Sequence, residues 1–191
     1  MGAHLNTSGH SLAKNPEARK LVNNLRQKIT LQKLCLAFND YMHDCYPKED
    51  LTYEEFDAIF SQLLNNTEPL FNTLSENHTI NIYELLISLV VFETHSEFEE
   101  KVLTIFKAFD VDGGGELDRR ELSKFLRCGI MGLCKMIKLS KPSSIGIQEF
   151  TMIEFNRIDA DGSGSVDYDE FEEWISMSKE IQDFLCMYSG V

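Results

Sequence analysis

Carboxylates recur at one fixed spacing in two stretches of this chain, DVDGGGELDRRE at 110–121 and DADGSGSVDYDE at 159–170. Such a twelve-residue pattern places oxygens around a hard divalent cation. Positions 1, 3 and 5 offer side chains, position 7 a backbone carbonyl, position 9 a side chain that often acts through water, and position 12 a glutamate that supplies two oxygens. The first stretch therefore offers Asp110, Asp112, the Glu116 carbonyl, Asp118 and Glu121, with Gly114 at position 5 leaving that place to water. The second offers Asp159, Asp161, Ser163, the Ser165 carbonyl, Asp167 and Glu170. Gly115 and Gly164 stand at position 6, where the loop turns sharply. The expected cofactor is Ca2+ at two sites, with Mg2+ competing at resting calcium. Affinities of roughly 10⁻⁷ to 10⁻⁵ M suit a loop of this type. The 159–170 loop is expected to be the tighter, because Gly113-Gly114-Gly115 makes the other costlier to order.

Helices must carry these loops. Phe106 and Phe109 precede the first, and Leu122, Phe125 and Leu126 follow it; Phe155 and Ile158 precede the second, and Phe171, Trp174 and Ile175 follow. That is helical spacing, with one apolar face to bury on each side. Leu117 and Val166, apolar at position 8, are placed to seal the two loops back to back through a short β contact. The same rhythm returns upstream. Thr73 to Glu84 aligns on Ile80, with small polar groups at positions 1, 3, 5 and 9, but it lacks acid at positions 1 and 3 and has His78 for glycine. It reads as a unit that keeps its shape without metal. Asp44 to Glu55 ends in the same way, but Tyr46, Lys48 and Glu49 fall at positions 3, 5 and 6, and Pro47 stiffens it. It too should be silent.

The fold class expected is all-α, four helix-loop-helix units in two lobes, with short β pairing between loops. Residues 1–18 form a flexible N-terminal arm, 19–95 an N-terminal lobe with two degenerate units, and 96–191 a C-terminal lobe with two calcium-binding units. A single helix is expected over about Lys20 to Tyr41, from Leu21, Leu25, Leu31, Leu34 and Phe38. Between the third and fourth loops, Gly129, Gly132 and Pro142 suggest a helix end, a mobile loop and a restart at Ser144.

Composition excludes several classes of function. A formal charge of −13 disfavours nucleic acid as a partner. The five cysteines form no Cys-x-x-Cys pair, so zinc and thioredoxin-like chemistry have no support, and free thiols in a reducing compartment are expected. Cys128 and Cys134 are near enough in sequence to be considered as a redox pair. The polar opening MGAHLNTSGH is no signal peptide, and the longest apolar run, Leu85 to Phe92, is too short for a transmembrane segment. No catalytic frame surrounds His4, His10, His43, His78 or His95, and the run Gly113–Gly115 is followed by Glu116 rather than a phosphate-binding lysine. No enzyme activity is expected.

Four such units, the first two degenerate, make this an EF-hand calcium-binding protein that resembles the neuronal calcium sensor and calcineurin B-like superfamily. Asp44-Cys45-Tyr46-Pro47 is similar to the cysteine-proline element that disables the first hand there. The wide spacing from Asp110 to Asp159 and the closing stretch Ser178 to Val191 also resemble that family. Its members usually keep a working second hand, and this chain does not. The resemblance implies a sensor that changes conformation on Ca2+ loading of the last two hands and regulates a protein partner, with a groove for a basic or amphipathic target helix. Five of the seven methionines, Met131, Met136, Met152, Met177 and Met187, lie in the calcium-binding half and suit an adaptable surface. The alternatives are a constitutive structural or regulatory subunit of a larger assembly, such as a ciliary axoneme or the cytoskeleton, and a calcium buffer. A cytoplasmic location is expected, with cilium, cytoskeleton or peripheral membrane as alternatives. Met1-Gly2 begins like a myristoylation signal, but Asn6 stands where Ser or Thr is expected, and a single acyl chain would anchor only reversibly.

Overall fold

A computed structural model of the chain describes residues 16–45, 47–137 and 140–177. The myristoylation signal, Met187 and the closing stretch from Ser178 lie outside these residues. Nine helices and four two-residue strands follow one another among them. Helices α1 (Pro16–Lys28) and α2 (Leu31–Asp44) precede strand β1 (Asp50–Leu51) and helix α3 (Tyr53–Phe60). Helix α4 (Glu68–Leu74), strand β2 (Ile80–Asn81) and helix α5 (Ile82–Phe92) complete the first half. The second half runs α6 (Phe98–Phe109), β3 (Leu117–Asp118), α7 (Arg119–Ile137), α8 (Ser144–Ile158), β4 (Ser165–Val166) and α9 (Tyr168–Met177). These are the expected four helix-loop-helix units, with α1 added in front.

Two element boundaries differ from the sequence expectation. The helix expected over 20–41 is two helices, and the first begins at Pro16, inside the stretch expected as an arm. Proline suits a first helical position, since the amide it lacks would have no helical acceptor. Thr30 breaks the run: its backbone is extended (φ −117°, ψ 155°) and its side chain accepts from Lys33 N, capping α2. Apolar periodicity continues across the break because Leu25, Ile29, Leu31 and Leu34 all enter the core. The second correction concerns Gly129 and Gly132, which end nothing. Helix α7 runs through both to Ile137. A Cβ on Gly132 would come within 2.5 Å of the Glu84 carbonyl oxygen and 2.7 Å of Ser88 Oγ. The missing side chain lets α7 lie directly against α5. The restart at Ser144 is where the sequence put it, with Ser143 accepting from Gly146 N.

Strands pair within each half: Leu51 opposite Ile80 in the first, Leu117 opposite Val166 in the second. All four side chains are fully buried, each worth roughly 2 kcal/mol of apolar burial. One continuous core runs through both halves. Its centre is α5, every residue of which is buried. Tyr83 on α5 meets Phe38 on one side and Phe109 on the other, at ring-centroid distances of 5.7 and 5.1 Å. Phe106, Phe125, Phe171 and Trp174 then form an edge-to-face cluster beneath the last two loops. Cys128 and Cys134, on one helix, remain free thiols, and burial pushes the Cys128 thiol up to about 12, far from reactive. Among the described residues no helix is long and apolar enough to cross a membrane.

Candidate metal centre

Each of the last two loops begins where a helix stops and ends where another starts. Asp110 and Asp159 cap α6 and α8, their amides donating to the Phe106 and Phe155 carbonyls. Gly115 and Gly164 take φ of +80° and +93°, a left-handed turn that disfavours a side chain. The turn folds the loop inward, and the amides of these glycines donate to Asp110 Oδ2 and Asp159 Oδ2 at 3.0 and 3.2 Å. Gly114 and Ser163 amides donate to the Asp112 and Asp161 carboxylates, both at 2.8 Å. Each of these four aspartates thus has one oxygen held by a backbone amide and the other left for a ligand.

Asp110, Asp112 and Glu121 come together, each offering a carboxylate oxygen within 4.8 Å of the others; Asp159, Asp161 and Glu170 repeat the arrangement. The closing glutamates are held identically. Glu121 accepts from Val111 N (2.8 Å) and Asp118 N (3.0 Å), and Glu170 from Ala160 N (3.0 Å) and Asp167 N (3.2 Å). Each glutamate therefore spans its loop from second to ninth position. Ser163 Oγ lies 3.4 Å from Asp159 Oδ1 and donates to the Ser165 carbonyl at 3.0 Å, gathering three of the expected ligands at one point. Asp118 and Asp167 stand apart from the acidic cluster. Their Oδ1 atoms accept the Glu121 and Glu170 amides at 2.8 Å, so they cap the exiting helices. Glu116 and Gly114 bring no carboxylate to the centre; the Glu116 side chain instead accepts from Ser165 Oγ and ties the two loops together.

A divalent cation fits this donor set. Asp110 Oδ1 is buried and accepts no hydrogen bond, an expensive state for a carboxylate oxygen without a cation beside it. The surroundings are all oxygen, the chemistry of a hard ion.

The first two loops are built otherwise. No such carboxylate cluster occurs there among the described residues. Glu55 accepts from Thr52 N at 2.8 Å in a capping box, and both its oxygens meet Lys48 Nζ at 2.6 Å. In the second loop Asn77 and His78 take φ of +53° and +65°, and Glu76 and Thr79 exchange both backbone hydrogen bonds across them. This is the geometry of a tight two-residue hairpin turn, so the loop interior closes on itself rather than keeping the shape the sequence suggested. Glu84, at the closing position, meets Lys135 Nζ at 2.6 Å. Sequence reasoning placed Lys48 correctly but gave it no task, and it missed Lys135, which lies 51 residues from its glutamate.

The methionines divide. Met136 is buried, whereas Met152 and Met177 are exposed. Trp174 Nε1 donates to Glu154 Oε2 at 2.9 Å, joining α9 to α8 across the fourth loop.

Residues 99–176 match the EF-hand domain pair family. Over 161 residues the chain is 28% identical to guanylyl cyclase-activating protein 1 of Gallus gallus, covering 78% of this chain and 74% of that one. It is 26% identical to recoverin of Homo sapiens over 59% of this chain and 58% of that one. A similar likeness, 26% identity over 51% of each, links it to calcineurin B of Naegleria gruberi. Residues 99–176 are thus an EF-hand domain pair, a kind of domain that binds Ca2+, in a chain similar to neuronal calcium sensors and calcineurin B.

Proposed function

We propose that this protein is a calcium sensor whose third and fourth hands load Ca2+ and whose reshaped surface regulates a protein partner. The observation that carries the reading is the orphaned Asp110 Oδ1 within a loop otherwise held closed by its own backbone. Bound calcium would supply two positive charges that offset part of the carboxylate charge gathered in each loop. The chain does the rest. Asp110, Asp112, the Glu116 carbonyl, Asp118 and Glu121 hold the first ion, with water at Gly114. Asp159, Asp161, Ser163, the Ser165 carbonyl, Asp167 and Glu170 hold the second, more tightly because Ser163 adds a protein oxygen. Mg2+ occupies the same oxygens at resting calcium, at lower affinity because it demands a stricter geometry.

Glu121 and Glu170 sit in the first turns of α7 and α9, so a pull on either carboxylate turns its helix against the core. Ile145, Phe150, Met152 and Ile153 are already exposed on α8, and Met177 at the end of α9. This apolar face beside the calcium loops suits an amphipathic helix of a target protein, and a basic one would complement the net charge of −13. Guanylyl cyclase-activating protein is named for acting on another protein, and the Naegleria gruberi relative as one part of calcineurin. Regulation through a partner agrees with both.

The test is a calcium titration followed by Trp174 fluorescence and by a dye that reports apolar surface. A sensor gives dye uptake and a Trp174 change together at micromolar calcium. Binding heat without dye uptake would leave a buffer or a fixed structural component.

A further inference from the structure

Both acidic side chains of the second loop are held by lysines from another hand. Glu84 lies 2.6 Å from Lys135 Nζ, and Glu76 lies 2.6 Å from Lys141 Nζ and 3.5 Å from Lys135. The Glu84–Lys135 pair is buried, with side chains only 7% and 8% exposed. Lys135 belongs to α7, the helix that leaves the third loop. We propose that Lys135 takes the place of a metal ion at the second hand and thereby couples that hand to the calcium state of the third. The inference rests on the reading that the 110–121 loop loads calcium.

The mechanics follow from one helix. Glu121 lies in the first turn of α7 and Lys135 in its last, so any rotation imposed at the calcium end reaches Lys135. Sliding of α7 over α5 is blocked at Gly132, whose Cα faces the Glu84 carbonyl with no room for a methyl group. Ser88 Oγ donates to that same carbonyl at 2.7 Å. Rotation of α7 alone would separate two buried charges, leaving each unpaired away from water. The less costly response is for α5 to follow and carry β2 and the second loop with it. A second fastening lies nearer the calcium end, where Lys124 Nζ meets Glu49 at 2.8 Å and sits 3.4 Å above the Tyr83 ring. The first hand lacks such a link at its closing glutamate, because Lys48 comes from its own loop.

Amide hydrogen exchange over residues 76–84 of the full chain, with and without saturating calcium, tests the coupling. Calorimetry on the same samples counts the sites. In the native chain calcium should change exchange in this segment by about fivefold or more, the lower end of ordinary coupling between sites. Glu121→Gln should abolish the change. So should the double variant Lys135→Met with Glu84→Gln, which removes both charges together and so leaves no buried charge unpaired, while two calorimetric sites remain. Lys48→Met, the same loss within the first hand, should leave the change intact. An undiminished change in the double variant, an equal loss in Lys48→Met, or no change in a native chain that binds two ions would overturn the proposal. A native chain that takes up no calcium would overturn the sensor reading as well, and calorimetry separates that case from the others.

Discussion

The two pairs of hands share a frame and differ in what faces the glutamate that closes each loop. In the second pair, Glu121 and Glu170 are clamped by amides of the second and ninth positions and turn their remaining capacity toward Asp110 and Asp159. In the first pair, ammonium groups take that place: Lys48 on Glu55 and Lys135 on Glu84. Both pairs keep the apolar β contact, Leu51 with Ile80 and Leu117 with Val166. The lesson is that a hand can keep its fold without calcium. In the first pair the closing carboxylates have lysine ammonium groups as counter-charges, at 2.6 Å in both hands. One pair then has carboxylates turned toward a cation, and the other has them turned toward lysines.

The sharpest way to break this comparison is to remove the closing glutamates one at a time. Glu170→Gln and Glu121→Gln should each weaken their own site by at least about a hundredfold, some 2.7 kcal/mol, read by calorimetry. Glu55→Gln and Glu84→Gln should leave two calcium sites.

Next in size is the joint between the halves. Gly132→Ala should destabilise the protein by about 1–3 kcal/mol in urea unfolding, because the new Cβ meets backbone. Gly129→Ala, whose Cβ would rest 3.7 Å from Ile87 in ordinary contact, should be neutral or stabilising by up to about 1 kcal/mol.

Within the loading pair, Gly114→Asp should tighten the third site by roughly tenfold by supplying the missing oxygen. Its Cβ approaches only Asp112 Oδ1, at 3.0 Å, the end of a side chain that can yield. The difference between the two calcium affinities should shrink accordingly.

The smallest effect concerns Glu93, which ends α5 at the boundary between the halves. Burial raises its carboxyl, but the His95 and Ser96 amides and the Lys101 charge outweigh that and hold it below the usual 4.5. A depressed carboxylate stabilises the fold above the unfolded value, and that contribution is lost as pH falls through the folded one. Glu93→Gln should therefore cost about 1 kcal/mol at pH 7 and flatten the loss of stability below pH 4.5. Urea midpoints measured at several pH values would show either result.

Much of this was legible from residue types. The carboxylate clusters of the last two loops, the β contact at Leu117 and Val166 and the restart at Ser144 all rest on local chemistry, where spacing alone decides. What escaped depends on distant neighbours. Gly129 and Gly132 looked like breakers because their use, letting α7 approach α5, is invisible without α5. Lys135 drew no notice because Glu84, its partner, is 51 residues away in sequence. Thr30 looked like one more helical position because the apolar rhythm survives the break. The second loop was expected to keep the shape of a hand, because the pattern of polar groups says nothing of Asn77 and His78 turning left-handed.

Calcium calorimetry on the full chain beside the double variant Glu121→Gln with Glu170→Gln tests the central claim most directly. Two sites are expected in the native chain and none in the variant, since lysines already occupy the first pair. A site that survives in the variant, or a native chain with one site or four, would contradict it.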